Sequence, residues 1–234
     1  MKYILTSSKE IFITYILNFL IIFISSLIYT LLGYTNLNTF INSTCIYILI
    51  IFYILTFIYL YKKYYHKEIT LPTKEYFPLI SLGISTATLL NMLIFLINPP
   101  HSIITISPLL AIISSGIVGP IYEEILFRYI LYNRLKKKYS IKKSIILTTT
   151  IFALTHLSPI KMIYAFILGL IINITYEKRK NILAPILMHI SANIIVIFLY
   201  EYNTYILLLS IINLLLCILH NVKCRKDIVK KNNS

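Results

Sequence analysis

The sequence predicts an all-α polytopic membrane protein with about eight transmembrane helices and a polar site inside the helix bundle. The first reason is composition: of 234 residues, 58% are hydrophobic, and the mean hydropathy is +0.81. The second reason is patterning, because long apolar runs alternate with short basic segments. The third is that a few ionisable side chains lie within the apolar runs, where they are costly and usually functional. A soluble globular domain has none of these properties.

Each predicted helix corresponds to an apolar run that is long enough, or nearly long enough, to cross the hydrocarbon core. The runs cover residues 11–32, 42–61, 77–97, 107–132, 144–158, 160–176, 182–200 and 203–220. The first run is too long for a signal peptide and lacks a small-residue cleavage site, so we expect it to be retained. The fifth and sixth runs are short and are separated by Ser158-Pro159, which predicts a tight helical hairpin.

Basic residues mark one side of the predicted bundle. Twenty of the 22 Lys and Arg residues precede the first helix or follow the second, fourth, sixth and eighth helices, all on the same side. The positive-inside rule then places both termini in the cytoplasm and predicts a multi-pass protein of the cell membrane. Because topology accounts for the net charge of +14, nucleic acid is not an expected partner.

The chain divides into three predicted parts. Residues 1–104 form about three amino-terminal transmembrane helices, and residues 105–200 form a helical core that carries the polar motifs. Residues 201–234 form the last transmembrane helix and a basic cytoplasmic tail.

Two adjacent glutamates, Glu123 and Glu124, lie within the fourth predicted helix, and Arg128 follows them. Glu124 and Arg128 are four residues apart, which predicts an ion pair on one face of the helix. Glu123 lies about 100° around the helix from Glu124, so its carboxylate is free to face another helix.

His156 on the fifth predicted helix and His189 and Asn193 on the seventh are the other polar candidates. With a rise of about 1.5 Å per residue, Glu123, His156 and Asn193 all lie about 14–18 Å from the cytoplasmic face, and His189 lies about 10 Å from it. Taken singly, a His or Asn in a membrane helix is more often an interhelical hydrogen bond. The shared depth of these residues beside a carboxylate favours a functional site.

This set of residues suits hydrolysis of an amide by activated water. A buried carboxylate can act as a general base, a histidine can share the water, and a second histidine with an Asn amide can stabilise the oxyanion. The sequence has no His-Glu-x-x-His motif, no Gly-x-Ser-x-Gly motif and no P-loop, and its single Asp, Asp227, excludes an aspartyl dyad. Two His and one Glu could instead bind Zn²⁺, although Asn193, in the i,i+4 position to His189, is a poor zinc ligand. We expect no metal and no other cofactor.

Three motifs in order resemble the CAAX protease and bacteriocin-processing (CPBP) family, which is also called the Abi or type II CAAX prenyl endopeptidase group. The motif Glu-Glu-x-x-x-Arg runs from Glu123 to Arg128, Phe-x-x-x-His from Phe152 to His156, and His-x-x-x-Asn from His189 to Asn193. The resemblance covers about residues 105–200 and implies an eight-helix, glutamate-dependent intramembrane endopeptidase without a catalytic metal.

The catalytic residues that the resemblance implies are Glu123, His156, His189 and Asn193, supported by Glu124 and Arg128. The first two would activate water, the next two would form the oxyanion hole, and the supporting pair would orient the site. Family roles range from cleavage of prenylated carboxyl-terminal motifs to processing of peptide signals and bacteriocin self-immunity.

The expected partners are the lipid bilayer and a membrane-associated peptide or protein substrate. Two other functions stay open at this point. The protein could be a non-enzymatic bacteriocin-immunity or membrane-binding protein, or it could be a proton-coupled transporter with Glu123 as its proton site. The sequence leaves the oligomeric state open.

Overall fold

The computed structural model describes residues 2–31, 46–64, 71–97, 108–199 and 203–232, and all regular structure within them is helical. The predicted all-α class is therefore confirmed. In chain order the helices are α1 (Lys2–Ser7), α2 (Lys9–Leu31), α3 (Ile46–Tyr64), α4 (Tyr76–Ile97), α5 (Pro108–Lys136), α6 (Ile141–Leu154), α7 (Pro159–Arg179), α8 (Leu183–Ile197) and α9 (Thr204–Asn232). A single 3₁₀ turn at Thr73–Glu75 precedes α4.

The predicted helices coincide in order with α2 to α9, except for predicted ends at residues 32, 42–45, 107 and 200, which lie outside the described residues. The last helix is longer than predicted, since it continues past residue 220 to Asn232. The helix continues into the basic tail, which contains no Gly or Pro, and Lys and Arg are good helix formers.

Three helices in the described part of the chain are long and apolar enough to cross a membrane, judged by length and composition: Thr73–Ile97, Pro108–Lys136 and Pro159–Arg179. Shorter apolar helices lie at Tyr47–Thr56, Leu183–Ile197 and Thr204–Cys217. The chain is thus a polytopic membrane protein, and the full number of eight spans stays a prediction.

Helix α2 illustrates the surface that this protein turns outward. Phe12, Ile16, Phe19 and Phe23 are each more than half exposed along one helix. A contiguous apolar surface of this kind is unusual for a soluble monomer and suits contact with lipid.

The predicted hairpin between the fifth and sixth spans is confirmed. Helix α6 ends at Leu154, and α7 begins at Pro159, whose missing N–H and fixed φ suit the first position of a helix. Between them Leu157 adopts a positive φ of 56°, which lets the chain reverse within a few residues. As a result α6 and α7 pack side by side.

Close packing between α4 and α8 depends on a glycine. A Cβ atom at Gly83 would collide with the carbonyl oxygen of Met188 and the hydroxyl of Ser191. Small residues allow membrane helices to approach closely, where apolar burial gives little driving force. Helix α9 is joined to the other side of α4 by hydrogen bonds, because Asn213 accepts from Ser81 at 2.8 Å and donates to Ser85 at 2.6 Å.

The amino-terminal helices are attached to the end of α5. Arg134 donates to both carboxylate oxygens of Glu10 and to the carbonyl oxygen of Ser7. The Tyr3 hydroxyl donates to the Arg134 carbonyl oxygen at 2.6 Å. Helix α3 also packs on α5, so both α2 and α3 lie beside the helix that carries the two glutamates.

Candidate active site

Helix α5, which carries Glu123 and Glu124, is not a regular α-helix. Its α-helical segment Gly119–Glu124 lies between two π-helical segments, Ile112–Val118 and Ile125–Tyr132. The amide of Gly119 donates to the Ser114 carbonyl oxygen, five residues back. Pro120 has no amide proton to donate, which loosens the backbone ladder at this point. π-helical turns are rare and frequently occur at functional sites.

A buried network surrounds Glu124. Its Oε1 atom accepts a hydrogen bond from Arg128 Nη1 at 2.9 Å and lies 2.7 Å from His189 Nδ1. The side chains of Glu124 and Arg128 are fully buried, and that of His189 is 3% exposed. The predicted i,i+4 ion pair is confirmed, and it includes a histidine from α8 that the sequence did not assign to it.

Arg128 is held on its other side by α6 and α7. Its Nη2 atom donates to the Gly169 carbonyl oxygen at 3.2 Å, and its guanidinium lies 4.5 Å from the centre of the Phe152 ring. A Cβ atom at Gly169 would lie 2.9 Å from the Phe152 ring and 3.3 Å from Arg128 Nη2. Position 169 therefore requires glycine, because any side chain would displace the ring or the guanidinium.

Glu123 faces the same histidine from another direction. Its Oε2 atom lies 3.7 Å from His189 Nε2, and its side chain is 25% exposed. The two neighbouring glutamates thus contact opposite ring nitrogens of His189 and differ in environment. Glu124 is fully buried, whereas Glu123 is partly accessible, and its carboxylate forms no hydrogen bond with the other described residues.

His156 lies just beyond the end of α6. Its Nδ1 atom is 3.1 Å from the Phe152 carbonyl oxygen, and its ring meets the Phe152 ring edge-on at 4.9 Å between centres. The Phe152 ring also meets the His189 ring edge-on, at 5.8 Å. Among the described contacts His156 makes no hydrogen bond or ion pair with Glu123, and the Phe152 ring lies next to both histidines.

Asn193 lies one turn beyond His189 on α8. Its side-chain amide donates to the Ser115 carbonyl oxygen at 2.9 Å, in the first π-helical segment of α5. A carboxamide carries two N–H donors, so this bond uses one and leaves one. Asn193 therefore joins α8 to α5 while keeping a donor available.

Within the described ranges, no group of three or more His, Cys, Asp or Glu side chains has an arrangement that could hold a metal ion. The Oε1 atom of Glu124 already contacts both Arg128 and His189. Neither Glu123 nor Glu124 forms a three-ligand cluster with the described histidines.

Three contributors to the site were not identified from the sequence. The Phe152 ring forms a wall beside both histidines and the guanidinium, and the backbone carbonyls of Gly169 and Ser115 accept from Arg128 and Asn193. Phe152 begins the second motif, and a glycine inside an otherwise apolar helix often has a packing reason, so both had a signal. The role of the Ser115 carbonyl had no sequence signal, because every residue type carries a backbone carbonyl group.

The motif residues lie in a segment that resembles known proteins. Residues 105–195 match the sequence profile of the type II CAAX prenyl endopeptidase Rce1-like family. This segment is thus similar to the CPBP family. A segment of 90 residues is also 33% identical to the protein named "Putative membrane peptidase YdiL" of Bacillus subtilis (strain 168). That similarity covers 38% of this chain and 36% of the relative, so the chain spans about a third of the length of the relative that it matches. No solved structure matches significantly.

The matched segment contains every residue of the network described above. Within it, Glu124 and Arg128 on α5 meet His189 on α8, and Asn193 on α8 bonds to the Ser115 carbonyl on α5. Helices α1 to α4 lie outside the segment. The parts of α2 and α3 that pack on α5 are therefore features of this protein that the match does not describe.

Proposed function

We propose that this protein is an intramembrane endopeptidase that hydrolyses a peptide bond of a membrane-associated protein or peptide, with water activated by Glu123 and histidine and without a catalytic metal. The observation that carries the proposal is the difference between the two glutamates. Glu124 is buried in a network with Arg128 and His189, whereas Glu123 is partly exposed and faces His189 Nε2 at 3.7 Å. A positioned, accessible carboxylate in a water-poor bundle is what a general base requires.

In this mechanism Glu123 accepts a proton from a water molecule as the water oxygen bonds to the scissile carbonyl carbon. The carbonyl oxygen becomes an oxyanion, and the proton then passes to the leaving amide nitrogen as the C–N bond breaks. His156 shares the attacking water. Since its Nδ1 lies against the Phe152 carbonyl oxygen, Nε2 is the ring atom left for that task.

The oxyanion is stabilised by donors from α8. Asn193 retains one amide N–H after its bond to Ser115, and His189 donates from Nε2 when it is doubly protonated, with its Nδ1–H donating to Glu124. Preorganised donors in a site with little water are among the largest contributors to catalysis. Glu124 and Arg128 act through His189, since their bonds hold the orientation of its ring.

Access from the cytoplasmic leaflet follows from the charge distribution. Both termini are cytoplasmic in this proposal, because 20 of the 22 basic residues lie on that side by the positive-inside rule. A helical substrate has to unwind before cleavage, since an intact helix hides its carbonyl groups from attack.

The decisive experiment compares purified wild type with Glu123→Gln on a library of membrane-associated peptides. We expect a loss of about 10²–10⁴-fold or more in cleavage, because the substitution removes the base and little volume. Glu75→Gln is the matched control, since Glu75 is similarly exposed but pairs with Arg179 outside the site.

The same preparations separate the other functions. Cleavage by Glu123→Gln at the rate of wild type refutes the assignment of Glu123 as the base. If wild type cleaves nothing but drives proton-coupled flux in vesicles, the protein is a transporter. If it neither cleaves nor transports but binds a peptide or membrane partner independently of Glu123, the binding role is correct.

A further inference from the structure

Three tyrosines from three helices gather around Glu123. Tyr122 immediately precedes Glu123 on α5, and Tyr15 from α2 and Tyr53 from α3 pack against the buried cluster that contains Tyr122. The Tyr53 and Tyr122 rings stack with their centres 4.7 Å apart and an angle of 24° between their planes. Tyr15 and Tyr53 lie outside the matched segment 105–195.

The Tyr53 hydroxyl has an unused proton. Its oxygen accepts a hydrogen bond from Asn18 Nδ2 at 3.2 Å, and no described hydrogen bond uses this hydroxyl as a donor. The Asn18 carbonyl oxygen cannot be its acceptor, because that buried atom has no hydrogen-bond partner. The hydroxyl of Tyr122, whose side chain is almost fully buried, also has none.

Tyr15 and Tyr53 both pack against the buried cluster that contains Tyr122. Of these two, Tyr53 has a ring that stacks on Tyr122, the residue before Glu123, and a hydroxyl proton that no described bond uses.

An unwound peptide in a membrane protein needs donors of this kind. Once its helical hydrogen bonds are broken, each free carbonyl group that leaves water without a hydrogen-bond partner is energetically costly. Phenol hydroxyls remain neutral at physiological pH and can donate without adding a charge to the site.

We propose that Tyr53 is a substrate-binding residue whose hydroxyl donates a hydrogen bond to a backbone carbonyl of the unwound substrate beside Glu123. Tyr122 supports its ring by stacking, and Asn18 orients its hydroxyl by occupying an oxygen lone pair. This inference rests on the proposed endopeptidase function. According to this proposal, the substrate binds as an extended segment, and α2 and α3, which lie outside the matched segment 105–195, contribute to substrate selection.

The first test is binding, which does not require turnover. The probe is a fluorescent apolar peptide with a central Gly-Pro helix break, added to protein in lipid nanodiscs. Tyr53→Phe should raise the Kd about 3–10-fold, the value of one neutral hydrogen bond. Tyr47→Phe is the matched control, because Tyr47 is on the same helix but 58% exposed, and it should bind like wild type. Equal affinity of Tyr53→Phe and wild type overturns the proposal.

The second test identifies the carbonyl group. A single thioamide, which is a weaker acceptor than an amide, is placed in turn at each position of the peptide. At one position it should weaken binding to wild type but not to Tyr53→Phe, since the bond is already absent in the variant. Additive effects at every position overturn the proposal.

Cleavage distinguishes this subsite from the function itself. If wild type cleaves and Tyr53→Phe raises KM with kcat within about twofold of wild type, both ideas stand. If wild type cleaves and Tyr53→Phe is unchanged in KM and Kd, the subsite is wrong and the endopeptidase assignment is unaffected. If wild type does not cleave, the function fails, and the donor at Tyr53 is still decided by the binding and thioamide results.

Discussion

Replacement of Arg128 by Met should destabilise the protein more than the loss of any other ion pair among the described residues. Arg128 and Glu124 are fully buried, and the substitution leaves the Glu124 carboxylate with His189 as its remaining partner. Removal of one member of a buried pair costs about 3–5 kcal/mol, because the other charge stays buried without compensation. The lost bond to the Gly169 carbonyl and the lost contact with the Phe152 ring act in the same direction.

Equilibrium unfolding in mixed micelles with increasing denaturing detergent measures this loss. Arg179→Met is the matched control, since Arg179 bonds Glu75 at a similar length, 3.0 Å, but both side chains are partly exposed. Partly exposed pairs contribute about 0–1 kcal/mol, so the control should unfold close to wild type.

A double variant separates buried charge from lost packing. Glu124→Gln combined with Arg128→Met has no anion to bury, and we expect it to be at least about 1 kcal/mol more stable than Arg128→Met alone. Proteolysis should fall in both variants, because Arg128 holds Glu124 in place and Glu124 orients His189 through its hydrogen bond. If Arg128→Met unfolds like Arg179→Met, the buried pair does not stabilise the bundle.

Three further predictions address packing, metal use and topology. Gly169→Ala should lower the free energy of unfolding by about 1–3 kcal/mol and reduce cleavage, because the added Cβ would lie 2.9 Å from the Phe152 ring. Ile174→Ala, at an exposed position of the same helix, should change neither quantity in the same unfolding and peptide assays. Cleavage should survive long incubation with phenanthroline, and loss on chelation with recovery on addition of Zn²⁺ would favour metal-assisted hydrolysis. In a variant without native cysteines, Ser140→Cys should react with an impermeant thiol reagent only from the cytoplasmic side and Asn38→Cys only from outside, and the reverse pattern would invert the proposed topology.

The separation of the two glutamates has a mechanistic consequence. Neighbouring residues on a helix point about 100° apart, so the side chains of Glu123 and Glu124 face different surroundings. His189 is contacted by both, through different ring nitrogens. Substitution of Glu124 is therefore expected to shift the His189 ring and, through it, the contact between His189 and Glu123.

The amino-acid sequence by itself determined the local features of this protein. The lengths of the apolar runs predicted the order of α2 to α9, because a membrane helix requires a run of about 20 apolar residues. The spacing of Glu124 and Arg128 predicted their ion pair, since residues four apart on a helix are neighbours. Ser158-Pro159 predicted the hairpin, because proline begins a helix more readily than it continues one.

The tertiary structure alone decided which side chains from different helices meet. His189 lies between the two glutamates, His156 lies against Phe152 without a direct bond to Glu123, and Tyr53 stacks on Tyr122. None of these contacts follows from sequence spacing. The rotation and separation of packed helices depend on the volumes of all facing side chains and on close approaches such as those at Gly83 and Gly169, so they are properties of the whole bundle.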